Sequence, residues 1–388
     1  MVDLIKDGKG HSTGSSGVPE NADLPTLHIS YDGITGALAR IVAVNSLLNL
    51  VTLGIYRFWG KTRVRRYLWR HVAFNGDAFE YTGTGKELFT GFVIVFAIFA
   101  PIILTYSVFI EFYGEAFPIT SAILEVIYML AIFFLIGVAI YRARRYRLSR
   151  TLWRGIRFAQ IGSAARYGVL WMGYLLLAFI SMGVAMPMMH IGLEHYRMNN
   201  TLMGNRTFQF DGRAGDLMGR WMLNYFLFLP TLGLSYFWYK ARQLNYVAAH
   251  TRFGNLRFSL DISGKNLLGI YFLYIVSLIA LFLIGLLIVG SSQNLIGMAA
   301  GGEQGTVKDV QEFVSIIFHT IIMIGSIVIL LMIATILYNV LVVQRFLRLL
   351  CSRLTIVGEE DFDAVAQDAS DTPRRAEGLA DFLDVGGL

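Results

Sequence analysis

Long apolar runs alternate with short basic stretches along most of the chain. Four runs, Leu88–Ile110, Ser121–Tyr141, Leu267–Val289 and Val314–Val343, each supply the roughly 20 apolar residues that a membrane-crossing helix needs. A fifth, Ala165–Met189, is nearly as strong. Gly36–Phe58 and Asp216–Trp238 are weaker, and each carries a Thr-Leu-Gly break before a basic stretch. Counting all seven as crossings predicts an all-α polytopic membrane protein of about seven spans. Re-entry of the two weak segments is the alternative.

Between runs the period changes. FNGDAFEYTGTGK (74–86) and FGNLRFSLDISGK (253–265) alternate apolar and polar positions around Asn-Gly or Gly-Asn, which predicts short β-hairpins at the membrane surface. RFWGKTRVRRYLWRHV, starting at Arg57, reads as a basic amphipathic helix lying at that surface.

The chain also resembles itself. Residues 29–88 align without a gap on 208–267, sharing Asp32/Asp211, Asn45/Asn224, Thr52-Leu53-Gly54/Thr231-Leu232-Gly233, Phe58-Trp59/Phe237-Trp238, Lys61/Lys240, Arg63/Arg242 and His71/His250. Residues 183–208 follow 233–258 more faintly, and their loss of basic residues suggests a copy facing the opposite side. The organisation expected is a polar disordered tail over 1–27, a first membrane half over 28–206, a second over 207–355 and an acidic tail over 356–388.

Composition supports this picture. Apolar residues make up 55% and charged residues 15% of the 388, against about 45–50% and 25% in soluble domains. The net charge of +6 comes from Lys and Arg beside apolar runs, so it marks topology and not nucleic-acid binding. With seven crossings, the basic loops and the C-terminus fall in the cytoplasm and the N-terminal tail outside. The single Cys351 excludes an intramolecular disulfide.

Catalytic patterns are weak. His190, Glu194 and His195 lack zinc-protease spacing. Gly83-Thr84-Gly85-Lys86 lacks the full phosphate-loop pattern and reads as a turn into the next span. No metal or cofactor is expected, and His71 and His250 read as helix-end residues. The binding candidates are Arg57, Lys61, Arg63, Arg65, Arg66, Lys240 and Arg242, facing anionic lipid headgroups or a membrane partner. Asn45, Thr52, Asn224 and Thr231 form a repeat-equivalent polar set suited to lining a path.

TLGIYRFWGKTRVRRYLWRHVAFNGDAFEYTGTGKEL resembles the YjgN-like family of bacterial inner-membrane proteins, a family of unknown function, on TLG-x-x-x-FW-x-K-x-R and F-x-Y-x-G-x-G-x-E-L. TLGLSYFWYKAR repeats the first phrase. The resemblance spans roughly residues 27–355 and implies a multi-pass bacterial inner-membrane protein. It implies no activity, and it points to a membrane metalloprotease as a possible partner. The expected function is a non-enzymatic membrane scaffold or adaptor binding lipid or a membrane partner. The alternative is a transporter or channel for a small solute or lipid at the repeat interface.

Overall fold

The computed structural model describes residues 25–300 and 306–360, with Phe362 and Val365. Among these residues, strands β1 (Thr26–Leu27) and β2 (Ile29–Tyr31) come first, and helix pairs then alternate with β-hairpins. Helices α1 (Thr35–Val51) and α2 (Arg57–Arg70) lead to strands β3 (Val72–Phe74) and β4 (Asp77–Tyr81). Helices α3 (Gly85–Tyr113) and α4 (Pro118–Ser149) lead to β5 (Thr151–Trp153) and β6 (Ile156–Gln160). Helices α5 (Ala164–Ile180) and α6 (Met186–Met198) lead to β7 (Thr201–Met203) and β8 (Arg206–Phe210). Helices α7 (Gly215–Phe228) and α8 (Ser235–Ala249) lead to β9 (Thr251–Phe253) and β10 (Leu256–Leu260). The last pair is α9 (Gly264–Ala300) and α10 (Thr306–Leu337), continued by a π-helical segment (Tyr338–Gln344), α11 (Arg345–Arg353) and β11 (Leu354–Val357).

The hairpins do not stand apart. All eleven described strands form one antiparallel sheet in the order β1-β11-β10-β9-β8-β7-β6-β5-β4-β3-β2. Its two edge strands, β1 and β2, are joined through His28, so the sheet curls into a nearly closed barrel. Two-residue turns make this possible. Asn75-Gly76 and Arg154-Gly155 take positive φ at both positions, and Gly204 and Gly254 take it at the first, as the right-handed strand twist requires. Phe74, Trp153, Met203, Phe253, Leu256 and Ile356 fill the interior. Phe362 packs edge-on against Phe74 and Trp153.

Hydrogen bonds clamp the first, third and fourth helix pairs at their starts. The Tyr67 hydroxyl accepts from Ile34 N and donates to Ile34 O, both at 2.8 Å. Tyr196 does the same to Ser163, and Tyr246 to Arg213. Each clamp gives partners to the polar groups exposed at a helix start. Cations then reach forward to the next pair. Arg66 donates to Gly83 O at 3.2 Å and Arg145 to Gly162 O. Gln344 and Arg348 close the circle on Gly33 O, at 3.0 and 3.2 Å.

The all-α, seven-span expectation is overturned by this sheet and by helix length. Among the described residues, four helices are long and apolar enough to cross a membrane: Gly85–Tyr113, Pro118–Ser149, Gly264–Ile288 and Thr320–Arg353. The other three expected crossings are broken. Gly36–Phe58 stops at Val51, Ala165–Met189 at Ile180 and Asp216–Trp238 at Phe228, and in each the chain turns back. Helices of 14–17 residues are about 21–26 Å long, short of a hydrocarbon core of about 30 Å.

Two sidedness expectations fall with the count. Residues 183–208 do not face the opposite side, because β7–β8 sits between β6 and β9 in the common sheet. The N-terminal segment is not across the membrane from the C-terminal one, because Thr26 and Leu27 pair with Val357 and Ile356. The expected acidic and N-terminal tails lie almost wholly outside the described residues.

Single cysteines placed at His28 and Glu359 should therefore respond alike to a membrane-impermeant thiol reagent in intact cells, and one at Glu115 in the α3–α4 turn should respond oppositely. The native Cys351 is only 6% exposed, so it supplies little background. Labelling of positions 28 and 359 from opposite sides would refute the ring.

Candidate functional site

The short pairs have a shared tip. At Thr52-Leu53-Gly54, Ser181-Met182-Gly183 and Thr231-Leu232-Gly233 the second and third residues take positive φ. The hydroxyl bridges the two helices. Thr52 Oγ1 donates to Leu48 O at 2.8 Å and accepts from Tyr56 N at 2.9 Å. Ser181 links Ala178 O to Ala185 N, and Thr231 links Leu227 O to Ser235 N. Unpaired backbone groups are costly in lipid, and each hydroxyl satisfies two of them. The side chain at the apex is apolar and outermost: Leu53 and Leu232 are 92% exposed and Met182 is 79% exposed.

Below the first tip, α1, α2 and the π-helical segment enclose an open cavity of about 310 Å³. Gly60 permits their close approach, since a Cβ there would meet Asn45 Cβ at 3.3 Å. Asn45 Nδ2 donates to Gly60 O at 3.1 Å across the pair. Arg57, Lys61 and Arg65 line the cavity from α2, and Arg147 joins them from α4. Asn339 and Tyr338 face them from the π-helical segment. Single-turn π distortions often accompany functional sites. Arg65 is 8% exposed, so part of this positive charge sits away from bulk water, where an anionic partner is worth more.

The predicted residues therefore separate. Arg57, Lys61, Arg65 and Asn45 meet in one cavity. Arg63 turns aside to Asn45 Oδ1, at 3.4 Å, and lies 5.9 Å from the Tyr56 ring centroid. Arg66 serves the Gly83 link. Arg242 is exposed on α8, and Lys240 donates to Gln243 Oε1 at 3.1 Å. Asn224 is buried in the fourth pair and accepts from Ser235 Oγ at 2.9 Å. Thr52 and Thr231 belong to separate tips. The repeat-equivalent polar set thus ties each pair to itself.

His71 and His250 end α2 and α8, their Nδ1 atoms 2.7 and 2.9 Å from Tyr67 O and Tyr246 O. Sequence reading missed Thr335, Tyr338 and Asn339. Only the Tyr-Asn pair inside an apolar run signals the last two, because polar groups there are costly and need a reason.

Residues 26–231 and 219–367 match the family described as "Bacterial protein of unknown function (DUF898)". The chain is 25% identical over 162 residues to "Inner membrane protein YjgN" of Escherichia coli O157:H7, covering 42% of this chain and 37% of that protein. The protein of the same name from Escherichia coli K12 is 24% identical over the same shares. That from Salmonella typhimurium LT2 is 38% identical over 69 residues, 18% of each chain. The matches thus span well under half the length of these relatives. No solved structure matches.

Replacing Gly60 by Val should force α1 from α2 and distort the cavity. The expected cost is about 1–3 kcal/mol, as for other overpacked contacts, read as a lowered unfolding temperature in detergent. Gly36→Val, where the added atom meets nothing within 4 Å, avoids this clash and should show no comparable cost.

Proposed function

The chain belongs to this DUF898, YjgN-like family, and we propose that it is a non-enzymatic inner-membrane protein whose ring scaffold holds an anionic lipid headgroup in the α1–α2 cavity. The location is supported by the four long apolar helices and by the names of the Escherichia coli relatives. Charge supports a cytoplasmic ring. Basic residues crowd its side, among them Arg154, Arg252 and Arg257, while Glu111 and Glu115 flank the α3–α4 turn. The three short pairs then dip apolar tips into the cytoplasmic leaflet and return.

The observation that carries the headgroup reading is the meeting of Arg57, Lys61, Arg65 and Arg147 with amide groups beside exposed apolar surface. Cations at that depth bind phosphate while their stems cover acyl chains. A solute path through the barrel would have to pass the packed Phe74, Trp153, Phe253 and Phe362 side chains, which favours a holding role over transport.

Mass spectrometry of lipids retained after mild-detergent purification tests this. The wild-type chain should retain anionic phospholipid. Lys61→Gln with Arg147→Gln should weaken that retention by about 2 kcal/mol, some thirtyfold in affinity, at about 1 kcal/mol per charge. Retention unchanged in the double variant would refute the site, and specific solute flux through liposomes holding only this protein would refute the holding role.

A further inference from the structure

A second concentration of charge lies in the ring, sharing no residue with the α1–α2 cavity. His190, Glu194 and Arg197 recur along one face of α6, at helical spacing. Arg144 approaches from α4 and Lys240 from α8, and Glu194 acts electrostatically on both. Glu194 is already paired with Arg197. Three cations thus share one carboxylate, all of them partly withdrawn from water.

Their hydrogen bonding is incomplete. Arg144 Nη2 reaches the Met198 sulfur at 3.6 Å, a weak acceptor. Arg144 Nε, Arg197 Nε and His190 Nδ1 are buried with no hydrogen-bond partner. A buried donor left unpaired is costly, and two guanidinium N–H groups without an acceptor, beside surplus positive charge, suit an anion.

We infer that Arg144, Arg197 and Lys240 form a second binding site, for a phosphate group, between α4, α6 and α8. A phosphate brings several acceptor oxygens and one to two negative charges, which answers both the unpaired N–H groups and the surplus charge. Glu194 competes with it for Arg197 and Lys240, so it limits affinity. His190 reports on occupancy. Burial, with Lys240 and Arg197 adding to it, pushes its pKa down to about 4, and a bound anion raises it again.

The test is titration of the purified full chain in detergent with inorganic phosphate and, separately, with dihexanoyl phosphatidylglycerol. Affinity is read by calorimetry and His190 by NMR. Arg144→Gln and Lys240→Gln should each weaken binding about tenfold, the loss of one charge-assisted contact. Glu194→Gln should strengthen it by a similar factor, an effect that misfolding does not mimic. Binding of phosphate identifies a free oxyanion as sufficient, and binding of the phospholipid alone identifies a lipid headgroup. The site is refuted if neither probe binds, if Glu194→Gln fails to tighten binding, or if binding leaves the His190 titration unmoved.

Discussion

Backbone pairing around the ring is the constraint on which everything else hangs. A two-stranded hairpin of three and five residues is marginal alone, and each of these hairpins carries a helix pair on either side. Joined edge to edge, the hairpins leave only β1 and β2 as edges, and both are short and linked by one residue. That protects the sheet from pairing with other chains. It also imposes one sidedness on every helix pair, because each must leave the ring and return to it.

From that follows the contrast between short and long pairs. Membrane helices are usually understood as crossings, with loops alternating between sides. Here the chain returns to its starting side after every pair, whatever the depth reached. A pair of about 30 residues per helix crosses and comes back, and α3 and α4 touch on the way through the Tyr106–Tyr128 stack, 4.2 Å between centroids. A pair of about half that length needs a tip that satisfies its own backbone where it turns back. The Thr or Ser hydroxyl meets that need, and the positive-φ Leu or Met accepts local strain to place an apolar side chain at the apex.

Local features were legible in the sequence because their causes are local. Asn-Gly and Gly-Asn marked hairpin turns, Thr-Leu-Gly marked the breaks, and the four longest runs coincide with the four long helices. The joining of hairpins into one ring was not legible, since it rests on contacts such as Leu27 with Ile356 that leave no periodic mark. Hydropathy also misjudged Ala165–Met189. Its tip reads Ser-Met-Gly instead of Thr-Leu-Gly, and α6 beyond it is apolar enough to hide the reversal. At the site, Lys61, Arg65 and Arg147 fall in basic stretches legible in the sequence, but the meeting of the α2 and α4 cations in one cavity was not legible.

The fate of those cations gives the ring its chemical meaning. Read along the chain, Lys and Arg at helix ends need no explanation beyond topology. In the folded protein two groups of them stand out. Arg66, Arg145 and Arg348 bind backbone carbonyls of the next pair. Others face inward, with Lys61, Arg65 and Arg147 in one place and Arg144, Arg197 and Lys240 in another. Like charges gathered away from water repel one another, and a fold tolerates that where something else offsets it. The first group stays structural because each cation has its carbonyl. In the second, neighbouring acceptors offset part of that repulsion, among them Glu194 beside Arg197 and Gln243 beside Lys240, and the proposed phosphate groups would offset the rest.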